Sequence, residues 1–183
     1  MSPGASVGAH DPLRLFCALR LPEAVLDPLV AWQGRELAGG RLVARAQLHV
    51  TLAFLGSRPA GELPAIAAEL GRAATAASRP VLQVTAYRET RSVGMLVFAD
   101  VGERAAALAA DLHARLERLG VYEPERRPWL PHVTVLRFRT RPRLRPRLPE
   151  LGDVSPSDAA VYSSVLRPSG AQYEVLESVP LGG

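Results

Sequence analysis

Two segments of the chain repeat one pattern, a His-x-Thr triplet set among apolar residues. The first is Leu48-His-Val-Thr-Leu52 and the second is Pro131-His-Val-Thr-Val135. Residues i and i+2 of a β-strand project from the same face. Each strand is therefore predicted to carry a histidine and a threonine on one face, with Leu48, Val50, Leu52 and Phe54 on the opposite face of the first strand.

The four polar residues of the two segments are His49, Thr51, His132 and Thr134. If the strands meet near a pseudo-twofold axis, two imidazoles and two hydroxyls face one cleft. An imidazole with an ordinary pKa near 6.5 can act as acid or base at neutral pH, and hydroxyls can donate to phosphoryl oxygens. A core histidine bonded to backbone is the commoner case for one such triplet. Because the triplet occurs twice, the catalytic and the structural interpretation are equally favoured.

The rest of the chain alternates short strands with helices. The apolar periodicity predicts helices over 22–37, 62–77 and 103–119, and strands near 13–21, 48–55, 81–87, 93–101, 131–138, 158–167 and 172–180. The first strand is predicted to be half-buried, and Asp27 with Pro28 to begin the first helix late. Strands often come in adjacent pairs, which indicates an α+β fold with antiparallel sheets.

Composition places the chain among ordinary globular domains. Of 183 residues, 48% are hydrophobic and 22% charged, which excludes a disordered chain. No apolar run has the length of a membrane span, and the single cysteine, Cys17, allows no internal disulfide. We expect a cytoplasmic monomer with a flexible tail over residues 1–12 and one bilobal domain over 13–183. All 22 basic residues are arginines, and the net charge of +4 is a weak indication of an anionic partner.

Several segments together resemble a known family. Residues 14–22, 48–56 and 131–137, and the C-terminal stretch 161–176, are similar to the two-histidine phosphoesterase superfamily, and within it to the RNA 2′,3′-cyclic phosphodiesterases formerly called 2′-5′ RNA ligases. The resemblance implies a bilobal α+β fold in which two antiparallel sheets face a central cleft, with helices outside.

The resemblance also implies an activity, the metal-independent hydrolysis of RNA 2′,3′-cyclic phosphate ends to 2′-phosphates without a cofactor. By motif position, His49 would protonate the leaving 3′ oxygen and His132 would activate water. Thr51 and Thr134 would hold the phosphoryl oxygens, and Arg137 matches a phosphate-contacting arginine of the family. Strict alternation places Arg137 on the face opposite His132, so a bulge or strand end must redirect it.

Three other features carry weaker indications. Where relatives often have an arginine before the second motif, this chain has Trp129-Leu130, and a core or rim position for Trp129 is favoured over stacking on a base. Arginine occupies every odd position from 137 to 147. A solvated loop is favoured there over a track for the RNA backbone. His113 is expected to flank a helix interface or meet solvent, and no metal site is predicted.

Two alternatives to hydrolysis remain open at the level of sequence. The same histidines could join 2′,3′-cyclic phosphate and 5′-hydroxyl RNA ends through a 2′-5′ bond. The chain could also be a non-catalytic RNA-binding module, although pure binding requires neither an acid nor a base. In each case the expected partner is RNA and not a membrane.

Overall fold

The structure, a computed structural model, describes residues 11–182. Three α-helices lie within them, α1 (Glu23–Glu36), α2 (Leu63–Ala76) and α3 (Arg104–Arg118). The strands are β1 (Pro12–Arg20), β2 (Arg41–Leu42), β3 (His49–Pro59), β4 (Leu82–Glu89), β5 (Val93–Asp100), β6 (His132–Arg137), β7 (Asp158–Arg167) and β8 (Gly170–Pro180). Every helix and strand predicted from the sequence is confirmed, with ends shifted by a few residues, and the short strand β2 was not foreseen.

The strands form two four-stranded antiparallel sheets. Sheet one has the order β3-β1-β7-β8 and sheet two the order β2-β6-β5-β4. The predicted α+β class with two antiparallel sheets is confirmed. The motif strands β3 and β6 belong to different sheets, yet they contact each other where the sheets meet. This contact brings the two His-x-Thr triplets to one place.

Together, two of the helices pack on both sheets and on each other. Helix α2 packs on β7 and β8, α3 packs on β3 and β5, and the two helices contact each other. Helix α3 buries one stripe, comprising Ala105, Leu108, Ala109, Leu112 and Leu116. One continuous apolar core therefore lies between the helices and both sheets, and it holds the two motif strands against a common support.

Helix α1 begins earlier than the sequence indicated. It starts at Glu23 and contains Pro28 in its interior, so the prediction of a late start at Asp27 is wrong. An interior proline costs about 3 kcal/mol. Burying Val25, Leu26, Leu29 and Trp32 contributes about 1.5–3 kcal/mol for each side chain, which outweighs that cost. Asp27 instead accepts a hydrogen bond from Arg45 Nε at 2.8 Å.

Strand β1 is buried on both faces rather than half-buried. Residues 15–19 are all buried because β1 lies between β3 and β7 and both of its faces are covered. Leu15, Cys17 and Leu19 join the main core, while Phe16 and Ala18 belong to a second cluster on the opposite face. The odd-numbered apolar face was predicted correctly, and the burial of the even-numbered face was missed.

The predicted tail over residues 1–12 lies, except for its last two residues, outside the described part of the chain. Pro12 already belongs to β1, and the carbonyl of Asp11 accepts a hydrogen bond from the Ala60 N–H. Across residues 11–182, none of the helices has the length and apolar character needed to cross a membrane.

Candidate active site

The two motif histidines are held in the same way by their own strands. His49 Nδ1 lies 2.8 Å from the carbonyl oxygen of Gln47, and His132 Nδ1 lies 2.9 Å from that of Leu130. In both cases the acceptor is two residues earlier in the chain. A carbonyl can only accept, so Nδ1 must carry the proton in each ring. The Nε2 atom of each histidine is therefore the ring nitrogen that can interact with other groups.

Each motif strand contains a bulge three residues after its histidine. The register between β1 and β3 passes from the pair Ala18–Thr51 to the pair Cys17–Ala53, which leaves Leu52 as the extra residue. The register between β5 and β6 passes from Met95–Thr134 to Gly94–Leu136, which leaves Val135 as the extra residue. A bulge puts two successive side chains on one side and reverses the alternation beyond them. Leu52 with Ala53 and Val135 with Leu136 are accordingly buried together.

The bulges decide where the fifth residue after each histidine points. Arg137 lies on the face of His132 and Thr134, so the redirection that the sequence required is present as a bulge. Phe54 is redirected in the same way, and its predicted place on the core face is wrong. It pairs with Phe16, whose ring contacts His49, and it is 45% exposed. The two strands thus present His-Thr-Phe and His-Thr-Arg.

A polar side chain from a helix supports each bulge. His113 of α3 bonds through Nε2 to the carbonyl of Leu52 at 2.6 Å, and its ring stacks on Tyr122. Gln33 of α1 donates from Nε2 to the carbonyl of Val135 at 2.8 Å and to that of Val43 at 3.0 Å. The expectation that His113 flanks an interface is confirmed. Gln33 was missed, although a polar residue four positions after Leu29 on the apolar stripe of α1 could have indicated it.

The ring of His49 packs against three aromatic side chains, which we call the aromatic bed, and the sequence did not predict this packing. Its ring lies 4.9 Å from that of Phe16, 5.8 Å from that of Tyr162 and 5.5 Å from that of Tyr173, measured between centroids. Burial lowers the pKa of His49 to about 4, against an opposing effect of the Gln47 carbonyl. Electrostatic interactions with His132 and Arg137 lower this pKa further. His49 is therefore neutral in the free protein at pH 7.

The neutral ring of His49 determines the direction of its bond to Thr51. His49 Nε2 lies 3.1 Å from Thr51 Oγ1. With Nδ1 protonated, Nε2 is an acceptor, so the threonine hydroxyl donates. In the second strand, Thr134 lies on the same face as His132 and is half-buried. Arg137 donates from a terminal nitrogen to the Tyr173 hydroxyl at 3.2 Å, and this contact ties sheet two to sheet one across the cleft.

A cavity of about 410 Å³ opens beside this group and reaches both Thr51 and His132. Its walls include the aromatic side chains of Phe54, Tyr122 and Trp129. Trp129 is half-buried and donates from Nε1 to the Thr51 carbonyl at 3.0 Å. Trp129 thus lies in the cavity wall, and its indole holds the first motif strand in place. The preference for a core or rim role over stacking on a base stays a prediction.

The described part of the chain, residues 11–182, contains no cluster of metal ligands. No three His, Cys, Asp or Glu side chains in that range are grouped so that they could hold a metal ion. The histidines of the site instead have partners fixed by the backbone and by Thr51. The prediction that the reaction needs neither metal nor cofactor stays a prediction.

Comparison with known proteins places this geometry in a family. The RNA 2′,3′-cyclic phosphodiesterase of Thermus thermophilus is 37% identical over 184 residues, covering 93% of this chain and 91% of that protein. The enzyme of the same name from Escherichia coli is 30% identical over 129 residues, covering 69% and 73%.

Solved structures agree with these relatives. The crystal structure of a Thermus thermophilus protein matches with a TM-score of 0.79 and 34% identity, over 93% of this chain and 99% of that chain. Escherichia coli LigT in complex with NADP+ matches with a TM-score of 0.78 and 28% identity, over 94% and 99%. The model of the 2′-5′ RNA ligase superfamily matches residues 21–166, and the chain belongs to that superfamily.

Proposed function

We propose that this protein hydrolyses 2′,3′-cyclic phosphate ends of RNA and leaves 2′-phosphates. The observation that carries the proposal is the twofold arrangement of histidines whose Nδ1 atoms are fixed by backbone carbonyls, beside Thr51, Thr134 and Arg137. An acid and a base on opposite sides of one phosphate are what the opening of a cyclic diester requires. The names of the Thermus and Escherichia relatives support the same reaction.

The proposed steps assign one proton to each histidine. His132 Nε2 accepts a proton from water as the water oxygen bonds to phosphorus. The bond between phosphorus and the 3′ oxygen breaks, and His49 Nε2 donates a proton to that oxygen. Thr51, Thr134 and Arg137 hold the non-bridging oxygens as charge builds on them. Proton exchange with solvent then restores both rings.

The low pKa of His49 makes its role as an acid depend on the substrate. In the free protein, burial above all, together with the positive charge of Arg137, keeps this ring neutral. A bound cyclic phosphate carries a negative charge, which offsets the charge of Arg137 and raises the pKa of His49. The acid is thus charged when a phosphate is present to receive its proton.

The cavity beside Thr51 and His132 is suited to the base of the terminal nucleotide. Its walls of Phe54, Tyr122 and Trp129 are mostly apolar and aromatic. Such surfaces accept any base by stacking. This placement leaves the ribose and its cyclic phosphate at the two histidines.

Joining of RNA ends is a second candidate for the same site. A 5′-hydroxyl would replace water as the attacking group, and the same two histidines would move the same protons. The description of the matching superfamily, 2′-5′ RNA ligase, favours keeping this candidate. A 5′-hydroxyl RNA offered as a second substrate distinguishes the two reactions by the mass of the product.

The test of the proposed function is direct. A short RNA ending in 2′,3′-cyclic phosphate, incubated with the protein and a chelator, should gain one water and resist a phosphatase specific for 3′-phosphates. His49→Ala and His132→Ala should each lower kcat by about 10²- to 10⁴-fold. Unchanged turnover in both variants would overturn the mechanism. RNA binding without conversion would favour the non-catalytic module.

A substrate with sulfur in place of the bridging 3′ oxygen tests which histidine is the acid. A thiolate leaves without a proton because its pKa is far below that of an alkoxide. The sulfur substrate should therefore restore most of the rate lost in His49→Ala and little of the rate lost in His132→Ala. Restoration of His132→Ala instead would reverse the two assignments.

We also propose that the protein is a cytoplasmic monomer whose residues 13–183 unfold as one unit. Burial raises the pKa of Cys17 to about 12, so this thiol stays protonated and unreactive. A single cooperative transition and a mass of one chain by light scattering are expected. Two separated unfolding transitions would contradict the single unit.

A further inference from the structure

The structure divides the arginine row between 137 and 147 into two groups. The carboxylate of Glu89, whose side chain is only 2% exposed, accepts hydrogen bonds from Arg141 Nε at 3.1 Å and from the backbone N–H groups of Arg143 at 2.9 Å and Leu144 at 2.8 Å. This clamp fixes the middle of the loop. The later arginines 143 and 145 line a hollow beside Tyr87 and Glu89, while Arg137 and Arg139 face a different pocket.

That second pocket has a volume of about 500 Å³ and lies where the two sheets approach each other. Sheet two contributes Arg41 from β2 and Arg137 from the end of β6, and the loop after β6 contributes Arg139. The hairpin between β7 and β8 of sheet one contributes Arg167. We call this group of Arg41, Arg137, Arg139 and Arg167 the four-arginine pocket.

The charges of the four-arginine pocket are not balanced by the protein. Its lining contains no aspartate or glutamate. Eight ion pairs link side chains elsewhere within residues 11–182, and none of them includes one of the four arginines. All four residues are exposed. An anion in the pocket would therefore meet charges with no competing internal partner.

Strand pairing brings two of these positive charges close together, which lowers the stability of the sheet. Arg41 and Arg137 are directly opposite each other across β2 and β6, a position in which like charges destabilise a sheet. The guanidinium of Arg41 donates to the Ser169 carbonyl, and Arg137 donates to the Tyr173 hydroxyl. These neutral partners orient the two groups without neutralising them. A bound phosphate would relieve the repulsion and accept from both.

Arg137 belongs both to the four-arginine pocket and to the site of the proposed reaction. Its positive charge acts on His49, and its side chain follows the motif of His132 and Thr134 on the same face. An anion in the pocket thus lies next to the reacting phosphate. In an RNA that ends in a 2′,3′-cyclic phosphate, the nearest other phosphate is on the 5′ oxygen of the same ribose.

We infer that the four-arginine pocket binds the 5′-phosphate of the nucleotide whose cyclic phosphate lies between the histidines. This inference rests on the proposed function and adds a substrate class to it. The protein selects RNA chain ends and 5′-phosphorylated nucleotides over nucleoside cyclic phosphates that lack a 5′-phosphate. Guanidinium groups suit this role because they bind phosphate oxygens in pairs and stay charged.

Binding of two product analogues tests the inference without turnover. Calorimetry compares adenosine 2′,5′-bisphosphate with adenosine 2′-monophosphate on the wild type and on Arg139→Ala/Arg167→Ala. A charge-assisted contact to phosphate corresponds to about a 10-fold or greater gain in affinity. The wild type should favour the bisphosphate by at least that factor, and the double variant should lose most of the preference.

Arg145→Ala/Arg147→Ala is the matched control, because it removes the same number of charges at exposed positions of the loop that carries Arg139, outside the pocket. The control should keep the preference for the bisphosphate. Equal losses in the two double variants would reduce the effect to general charge and overturn the inference. A wild type without the preference would overturn it as well.

A kinetic comparison separates this inference from the proposed function. Adenosine 2′,3′-cyclic phosphate is assayed with and without a 5′-phosphate, and the ratio of the two kcat/KM values should fall about 10-fold in Arg139→Ala/Arg167→Ala. With a short RNA end, the dependence of log kcat/KM on log salt should become shallower by about 0.7, because the double variant neutralises one phosphate fewer. If neither cyclic phosphate is hydrolysed, the proposed function fails, and the calorimetric preference still decides the pocket.

Discussion

Strands β3 and β6 share one framework and differ in what surrounds it. In both, the histidine Nδ1 bonds to the carbonyl two residues earlier, a bulge follows three residues later, and a helix side chain supports the bulge. Each helix supports the motif strand of the other half of the chain. Helix α1 precedes β3 in the chain, but its Gln33 bonds to β6. Helix α3 precedes β6, but its His113 bonds to β3. The two halves therefore position each other.

The two histidines have different surroundings. His49 is packed on Phe16, Tyr162 and Tyr173, whereas His132 stands at the more open side of the cleft. The bulge of β3 directs Phe54 into the cleft, and that of β6 directs Arg137. A repeated framework supplies equivalent positions, and the different neighbours give one position a buried ring and the other an exposed arginine.

Among the tests of the contrast between His49 and His132, the pH dependence of stability should show the largest effect. Folding lowers the pKa of His49 from 6.5 to about 4, so the unfolded state binds more protons between these values. The stabilisation is complete above about pH 6.5 and is lost as pH falls towards 4. Between pH 7 and 4, wild type should lose up to about 3 kcal/mol more unfolding free energy than His49→Gln.

Urea unfolding at several pH values measures this difference. His132→Ala should make this difference smaller, because that variant removes one of the groups whose electrostatic effect lowers the pKa of His49. Parallel pH profiles for wild type and His49→Gln would show that packing on the aromatic bed does not lower the pKa of His49.

The two helix supports should differ in strength. Gln33 is 1% exposed and serves two carbonyls, whereas His113 is half-buried and serves one. Gln33→Met leaves the Val43 carbonyl without this donor and should cost about 2 kcal/mol, while His113→Phe keeps the stacking on Tyr122 and should cost about 1 kcal/mol. Urea unfolding at neutral pH compares them. Equal costs would mean that the two bulges are supported equally despite the difference in burial.

The smallest effect concerns the two threonines. The Thr51 hydroxyl donates to His49, while Thr134 makes no comparable bond to His132 within the described residues. Thr51→Val should therefore lower the unfolding free energy by about 1 kcal/mol, and Thr134→Val by only a few tenths. Thermal unfolding of both variants checks the order, and a reversed order would remove this asymmetry between the strands.

Much of the fold followed from local patterns. Alternation placed His49 with Thr51 and His132 with Thr134, and apolar periodicity located the helices and the longer strands. Paired strands along the chain indicated the antiparallel sheets. The start of α1 was missed because an interior proline opposes a helix locally, while the burial that offsets its cost comes from distant residues.

The sequence by itself determined the two histidine motifs, the antiparallel α+β class and the need for a bulge or a strand end to redirect Arg137. Only the tertiary structure decided that a second bulge turns Phe54 into the cleft, that Gln33 and His113 support the opposite strands, and that Arg41 and Arg167 join Arg137 and Arg139 around one pocket. The physical reason is that periodicity describes one strand or helix at a time. A bulge depends on the register with a partner strand, and the low pKa of His49 depends on rings contributed by three other strands.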